Sequence, residues 1–134
     1  MTMTANEYQQ NALRTEKTPD FINEAYIEER LKAKGIVDGM DARSLARLIH
    51  ALLGMCTEAG EAQDMAKKGI IYGRPIDKVN IMEECGDILW YIALALDAAG
   101  FTMQEAMERN IAKLRKRFPE KFTEQNANVR DLDG

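Results

Sequence analysis

The sequence contains few of the residues from which disulfide, zinc and histidine-based sites are built. Its 134 residues include two cysteines, Cys56 and Cys85, and one histidine, His50. Both cysteines lie within helical apolar patterns and have no second ligand at metal-binding spacing, which predicts buried free thiols in a reducing compartment. A single histidine excludes a di-iron carboxylate bundle, because that site requires two Glu-x-x-His motifs. We interpret His50 as a structural side chain.

The sequence also lacks a leader peptide, a long apolar run and an excess of basic residues. Residues 1–7 have neither the basic nor the apolar region of a signal peptide, and the longest apolar run is far shorter than the ~20 residues of a membrane span. The formal net charge is −4, from 22 acidic and 18 basic residues, whereas proteins that bind nucleic-acid polymers usually present a basic face. We therefore expect a cytoplasmic protein whose partners include neither a membrane nor a nucleic-acid polymer.

What the sequence does contain is a helical pattern along most of its length. Apolar residues recur at helical spacing, and no stretch alternates as a half-buried strand does. The sequence therefore predicts an all-α fold, an antiparallel bundle of about four core helices that forms a single domain over residues 1–134. We divide this domain into an N-terminal arm (1–40), a helical core (41–118) and a C-terminal tail (119–134), and we expect the tail to be a loop or disordered.

Three long helices are predicted within the core. The first begins after Asp41 and ends near Gly69, where cations precede the glycine. The second has Pro75 in its first turn and runs to about Ala99. The third begins with a capping box at residues 102–105.

The second of these helices predicts an oligomer. Its second half, residues 88–96, is apolar all round, and such a helix is buried on all sides in a folded protein. Because so few helices cannot surround it, we expect a homo-oligomer with this helix at the interface.

Two acidic pairs are the most informative motifs. Glu58 and Glu61 lie in the first long helix, and Glu84 and Asp87 lie in the second. Residues three apart are neighbours on one helical face, so facing helices would form a pocket of four carboxylates that repel one another unless a cation lies between them. Mg²⁺, or Mn²⁺ as an alternative, takes oxygen ligands and commonly bridges carboxylates to phosphates. We interpret the four acids as the metal-binding and catalytic residues of an enzyme that acts on a nucleoside triphosphate.

A glycine separates the two acids of each pair. Gly60 and Gly86 each weaken a helix by about 1 kcal/mol relative to alanine, which indicates either a close approach of two backbones or room for a ligand. A solvated helix face is the alternative interpretation of a single acidic pair. The occurrence of two pairs with the same arrangement favours a site.

The acidic pairs, together with Asn110, Lys113 and Arg117 on the last helix, resemble the motifs of the MazG-like nucleotide pyrophosphohydrolases. These are all-α nucleoside triphosphate pyrophosphatases related to the dimeric dUTPases, and the similarity covers roughly residues 46–119. The resemblance implies a helical bundle that forms homodimers or homotetramers. It also implies hydrolysis of ribo- or deoxyribonucleoside triphosphates between the α- and β-phosphates, giving a monophosphate and pyrophosphate in nucleotide-pool house-cleaning. No residue indicates which base or sugar is preferred.

The resemblance also implies roles for individual residues. The four acids match the metal-binding positions of the family, and Asn110, Lys113 and Arg117 match positions that face phosphate. Three further residues are nucleotide-binding candidates by their place in the chain. Lys67 and Lys68 follow the first acidic pair, although the helix dipole alone explains cations there. Tyr91 follows Asp87 by one turn, where it would either contact the nucleotide or pack in the core.

Thr57 is a departure from the family pattern. Many members have an acid at this position, which has been considered a water activator, and threonine cannot act as a general base. Water activation would then fall to one of the four carboxylates or to the metal. The same departure leaves open an alternative function, a non-catalytic nucleotide- or metal-binding sensor module of the same fold.

Overall fold

A computed structural model of the chain describes residues 2–16, 25, 29 and 39–125. These residues form four α-helices and no strand: α1 Ala5–Leu13, α2 Ala42–Tyr72, α3 Lys78–Ala98 and α4 Met103–Arg117. The prediction of an all-α fold is confirmed for this part of the chain. The expectation for the tail concerns mainly residues 126–134, which lie outside the described residues, and Glu124 and Gln125 have helical backbone.

The helices begin where side chains satisfy the free N–H groups of the first turn. Asp41 accepts a hydrogen bond from the Ser44 N–H at 2.7 Å at the start of α2. At the start of α4, Thr102 and Glu105 form the predicted capping box, in which each side chain accepts a hydrogen bond from the backbone N–H of the other. Both predicted helix starts are confirmed.

The end of α2 differs from the prediction. The helix continues three residues past Gly69 to Tyr72 and ends at Gly73, whose left-handed φ of 65° is the conformation that favours glycine. Gly69 is instead a packing position, because a Cβ atom there would lie 2.4 Å from the Ile76 side chain. In a sequence, Gly69 and Gly73 are equivalent signals for the end of a helix. The contact of Gly69 with Ile76 explains why the helix continues through Gly69 and ends at Gly73.

The start of α3 also differs from the prediction. The helix begins at Lys78, and its N-cap is Asp77, which accepts a hydrogen bond from the Val79 N–H at 2.8 Å. Pro75 therefore lies in the connection between α2 and α3 and not in the first turn. The prediction that α3 ends near Ala99 is confirmed, since Ala98 is its last residue and Ala99 its C-cap.

Helices α2 and α3 form an antiparallel pair, and one of their contacts requires glycine. A Cβ atom at Gly54 would lie 2.1 Å from the Tyr91 ring, so this ring lies directly against the α2 backbone. The fully buried apolar side chains of the described residues are mostly small, with Leu94 the largest. The two long helices consequently approach each other closely, which brings their side chains at the two acidic pairs together.

Helix α1 is held across the junction of α3 and α4 by Gln9. This side chain is buried, and its Nε2 donates to the carbonyl oxygens of Ala93 (3.1 Å) and Phe101 (3.2 Å). Its Oε1 accepts from the Met103 N–H at 3.1 Å. The Trp90 indole N–H donates to the Ala12 carbonyl oxygen at 2.9 Å. A helix of nine residues is unstable alone, so these contacts account for its order.

Several apolar side chains of α2 and α3 are exposed. Leu53 and Met82 are 66% and 67% exposed, and Leu89, within the stretch predicted to be buried on all sides, is 42% exposed. Cys56 and Cys85 are free, as predicted, but both are exposed, so the prediction of their burial is wrong for the single chain. At ~100° per residue both cysteines lie on sides of their helices turned away from the α2–α3 contact.

Within the described residues, no single helix is long and apolar enough to cross a membrane. Only α3 and α4 taken together meet that test of length and composition, and the two helices are bent by 100° relative to each other.

Candidate functional site

The fold brings three of the four predicted acids into one cluster. Glu58 of α2 and Glu84 and Asp87 of α3 each contribute a carboxylate oxygen, and these three oxygens all lie within 4.8 Å of one another. Glu61 is not a member of this cluster. It lines a groove next to it, together with Glu84. The two acidic pairs thus face each other across the α2–α3 contact.

Negative charge is concentrated in this cluster. Burial of the side chain, followed by the negative charges of Glu61, Asp87 and Glu84, raises the pKa of Glu58 above its ordinary value. Glu84 Oε1 has only a long contact with the Asn80 amide nitrogen, at 3.4 Å. Its Oε2 is shielded from solvent and has no hydrogen-bond partner in the part of the chain that the structure describes.

A divalent cation would relieve both features. A buried carboxylate oxygen without a partner is unfavourable by several kcal/mol in general, and three carboxylates at this separation repel one another. Carboxylate oxygens are also the ligands that hard ions such as Mg²⁺ and Mn²⁺ prefer. The donor set of Glu58, Glu84 and Asp87 therefore fits such an ion.

The two glycines of the acidic motifs face open space. In the part of the chain that the structure describes, a Cβ atom at Gly60 or at Gly86 would meet nothing within 4 Å beyond its own stretch of helix. Of the two explanations for these glycines, the structure supports room for a ligand and shows no close approach of two backbones there among the residues that it describes. The close approaches occur instead at Gly54 and Gly69.

A groove of about 630 Å³ extends from the acidic cluster along α2 to the α2–α3 connection. Its volume is in the range of small-molecule sites. The lining residues come from three consecutive parts of the chain: Thr57, Gly60, Glu61, Asp64, Met65 and Lys68 from α2, Arg74 and Pro75 from the connection, and Asn80 and Glu84 from α3.

Sequence reasoning missed three polar residues of this groove, Asp64, Arg74 and Asn80. Asn80 precedes Glu84 by one helical turn and Asp64 follows Glu61 by three residues, so the helical spacing that identified the acidic pairs also contains these two. Arg74 lies in a connection without periodicity, and no local pattern marks it.

Only one of the two predicted lysines lies in the groove. Lys68 lines it, whereas Lys67 lines a smaller neighbouring recess with Gly60, Gln63 and Asp64. Asp64 forms ion pairs with both lysines, at 3.0 Å with Lys67 and 2.5 Å with Lys68. These exposed cations hold the pKa of Asp64 below its ordinary value.

Tyr91 lies in the contact between α2 and α3. Its ring packs against Gly54 and makes edge-to-face contacts with His50 and Trp90, with ring centroids 5.7 Å and 4.9 Å away. It is not among the residues that line the groove. In the described chain it therefore packs between the helices, one turn from Asp87.

The predicted phosphate-binding residues of the last helix are not part of the groove beside the acidic cluster. Asn110, Lys113 and Arg117 are exposed on α4, and none of them lines the groove. The chain turns by 100° between α3 and α4, and Gly100, with φ of 82°, lies at this turn. The α4 helix packs on α1 and α3, and the N–H of its first residue, Met103, donates to Gln9 of α1.

Thr57 lines the groove but has no role as a base. Its hydroxyl donates to the Leu53 carbonyl oxygen of the preceding turn at 3.1 Å, a common arrangement for threonine within helices. Glu61, one helical turn later, is a carboxylate of the same groove lining.

These features define a class of protein, the all-α proteins that hold a carboxylate site between two antiparallel helices. Comparison with known proteins specifies the family. The family profile described as the MazG nucleotide pyrophosphohydrolase domain matches residues 45–122, which is more than half of the chain. The chain therefore belongs to the MazG family, whose members are generally metal-dependent hydrolases of nucleoside triphosphates.

A relative supports the same assignment at lower similarity. The chain is similar to the Gene 37 protein of Mycobacterium phage L5, with 29% identity over 83 residues, which cover 58% of this chain and 71% of the relative. No solved structure matches the chain significantly.

Proposed function

We propose that the protein is a Mg²⁺-dependent nucleoside triphosphate pyrophosphohydrolase. It would hydrolyse ribo- or deoxyribonucleoside triphosphates between the α- and β-phosphates to a monophosphate and pyrophosphate, as a house-cleaning enzyme of the nucleotide pool. The observation that carries this proposal is the cluster of Glu58, Glu84 and Asp87, with the unpartnered Glu84 oxygen, in a chain of the MazG family.

Glu58, Glu84 and Asp87 would hold the metal ion, with Mn²⁺ as an alternative to Mg²⁺. When bound, the ion would neutralise phosphate charge and make the phosphorus accessible to a nucleophile. The three carboxylates come from two helices that pack tightly through Gly54 and Tyr91, which fixes their separation. Positioning and charge stabilisation are the main contributions that an enzyme makes to displacement at phosphorus.

We assign proton transfer from the attacking water to Glu61. Its carboxylate lines the groove but lies outside the cluster of Glu58, Glu84 and Asp87, so it remains available when those three are occupied. Thr57 cannot serve, because it has no basic group and its hydroxyl bonds to Leu53. General-base catalysis requires a group within hydrogen-bond reach of the water that it deprotonates, and the groove is where a substrate phosphate would lie.

Thr57 is also the observation that favours the alternative, a sensor that binds nucleotide and metal without turnover. Such a protein would retain the acidic cluster and the groove and would lack an effective base. The two functions differ in product formation and not in binding. Turnover therefore has to be measured directly.

The decisive assay uses a panel of ribo- and deoxyribonucleoside triphosphates with Mg²⁺ or with EDTA, and identifies the products. We expect monophosphate and pyrophosphate in Mg²⁺ and none in EDTA, and the panel will also show the preferred base and sugar. Nucleoside diphosphate and phosphate as products would refute the assigned bond. Nucleotide binding without any product would establish the sensor.

The exposed apolar side chains support a homodimer or homotetramer. Leu52, Leu53, Val79 and Met82 are each more than half exposed in the single chain, and large apolar side chains exposed in this way are often covered where subunits associate. We propose that a second copy covers these faces of α2 and α3. Sedimentation equilibrium of the purified chain should give a mass of at least twice 15.1 kDa, and a monomer at micromolar concentration would refute this. The cytoplasmic location stays a prediction from the sequence.

A further inference from the structure

The groove beside the acidic cluster has opposite charges at its two ends. Its lining on α2 runs from Thr57 to Lys68, which lie eleven positions apart and therefore about 16 Å apart at 1.5 Å per residue. Glu61 and Glu84 lie toward the first end. Lys68 and Arg74 lie at the second, where the groove reaches the α2–α3 connection. A ligand with a strongly anionic end would therefore have a preferred direction in the groove.

The two cations at this end differ in their availability. Lys68 is already paired with the Asp64 carboxylate. The Arg74 guanidinium makes no ion pair and no hydrogen bond with any residue of the described ranges 2–16 and 39–125. Guanidinium presents a planar fork of donors that matches two phosphate oxygens, whereas an ammonium acts as a point charge.

The backbone that carries Arg74 is fixed on both sides. Gly73 adopts its left-handed conformation at the end of α2, and the Arg74 N–H then donates to the Lys68 carbonyl oxygen at 3.2 Å. Ile76 packs into the space left by Gly69, and Asp77 begins α3. The connection is thereby held on the end of α2, which lowers the entropy cost of binding a ligand through Arg74.

We propose that Arg74, assisted by Lys68, binds the terminal phosphates of the substrate, and hence the pyrophosphate that leaves. This inference rests on the proposed function, in which the ligand is a nucleoside triphosphate and the metal lies at the opposite end of the groove. It assigns phosphate binding to Arg74 in the α2–α3 connection and to Lys68 in the last turns of α2. The alternative is that Arg74 is an ordinary solvated cation near the carbonyl end of α2, where it interacts with the helix dipole. That role would leave ligand affinity unchanged.

The test measures binding of pyrophosphate in the presence of Mg²⁺ by calorimetry, without turnover. We compare the unmodified protein with Arg74→Gln, with Arg74→Lys and with the control Arg115→Gln, which removes the same charge from an exposed position on α4 outside the groove. We expect Arg74→Gln to weaken pyrophosphate binding at least about tenfold, as the loss of charge-assisted hydrogen bonds predicts. Arg74→Lys should lose less, and Arg115→Gln should change the affinity less than about twofold. A Mg²⁺ titration of each variant, unchanged by these substitutions, shows that the acidic cluster is intact.

Equal affinity of Arg74→Gln and the unmodified protein for pyrophosphate would overturn the inference, as would an equal loss in Arg115→Gln or no pyrophosphate binding at all. Hydrolysis by the same preparation is recorded separately. If the protein hydrolyses nucleotides and Arg74→Gln binds pyrophosphate as tightly as the unmodified protein does, only the inference about Arg74 is refuted. Arg74-dependent pyrophosphate binding without turnover would refute only the proposed hydrolysis.

Discussion

Glu58→Gln should make the protein more stable without metal and less stable with it. The substitution keeps the shape of the side chain and removes one charge from a cluster in which the carboxylate oxygens lie within 4.8 Å of one another. In a water-like dielectric, each charge pair at that distance is unfavourable by about 1 kcal/mol. Solvent and salt screen this partly exposed site, so we expect a net gain of about 1 kcal/mol in the free energy of unfolding. For a chain of this size that corresponds to about 4 °C in melting temperature.

Metal should reverse the order of the two proteins. A ligand at a hundredfold excess over its dissociation constant stabilises the protein that binds it by about 2.7 kcal/mol. The unmodified protein should gain this stabilisation in Mg²⁺, and Glu58→Gln should lose most of it because one of its three ligands is neutral. Thermal unfolding in EDTA and in Mg²⁺, at one fixed protein concentration, measures both effects.

The pH dependence in EDTA follows from the direction of the Glu58 pKa shift. Because this pKa is raised in the folded protein, the folded state binds a proton more readily than the unfolded state there, and stability falls as the pH rises through the folded value. The advantage of Glu58→Gln should therefore be largest near neutral pH and should shrink as the pH is lowered through the raised pKa of Glu58.

The matched control is Glu83→Gln, which removes a charge from the exposed neighbour of Glu84 and leaves the cluster unchanged. Its melting temperature should change by about 1 °C or less, in line with ordinary surface substitutions. A melting temperature of Glu58→Gln below that of the unmodified protein in EDTA would refute the argument from repulsion. Equal stabilisation of both proteins by Mg²⁺ would refute the assignment of Glu58 as a ligand.

Four further substitutions test the site and the fold. Glu61→Gln should lower kcat by about 10²–10⁴-fold, which is the range for loss of a general base, and should retain the Mg²⁺ affinity. A parallel loss of Mg²⁺ binding, measured by calorimetry, would show that Glu61 is a metal ligand instead. Glu84→Ala and Asp87→Ala should each abolish hydrolysis with an unchanged circular dichroism spectrum, and activity in both would contradict the site assignment. Gln9→Ala should destabilise the protein by about 2 kcal/mol or more in chemical unfolding, because it leaves two carbonyl groups and one N–H without their partner, and a change below about 0.5 kcal/mol would show that α1 contributes little.

The parts of the structure that could be predicted are those set by local chemistry. The capping side chains of Asp41 and of Thr102 act within one helical turn, so their positions follow from the sequence. Glu58 and Glu84 could be assigned to facing helices because their spacing from the second acid of each pair is helical and the helices are long. The resemblance to the family drew on the same residues.

The parts that could not be predicted depend on contacts between distant residues. Gly69 and Gly73 carry the same local signal, and the contact of Gly69 with Ile76 decides which one ends α2. The position of Lys113 depends on the direction in which α4 leaves α3, which no helical pattern encodes. Arg74 is brought to the groove by the fold of a connection without periodicity.

The docking of α1 gives the protein an optical reporter of its own N-terminal segment. Trp90 is the single tryptophan, and its indole N–H is shared between the Ala12 carbonyl oxygen and the Thr15 hydroxyl, at 2.9 Å and 2.8 Å. Its emission therefore depends on whether residues 12–15 or water occupy that nitrogen. Detachment of α1 would shift the fluorescence to longer wavelength before the main helices unfold. The attachment of this segment can thus be followed in real time, in the unmodified chain, while metal or nucleotide is added.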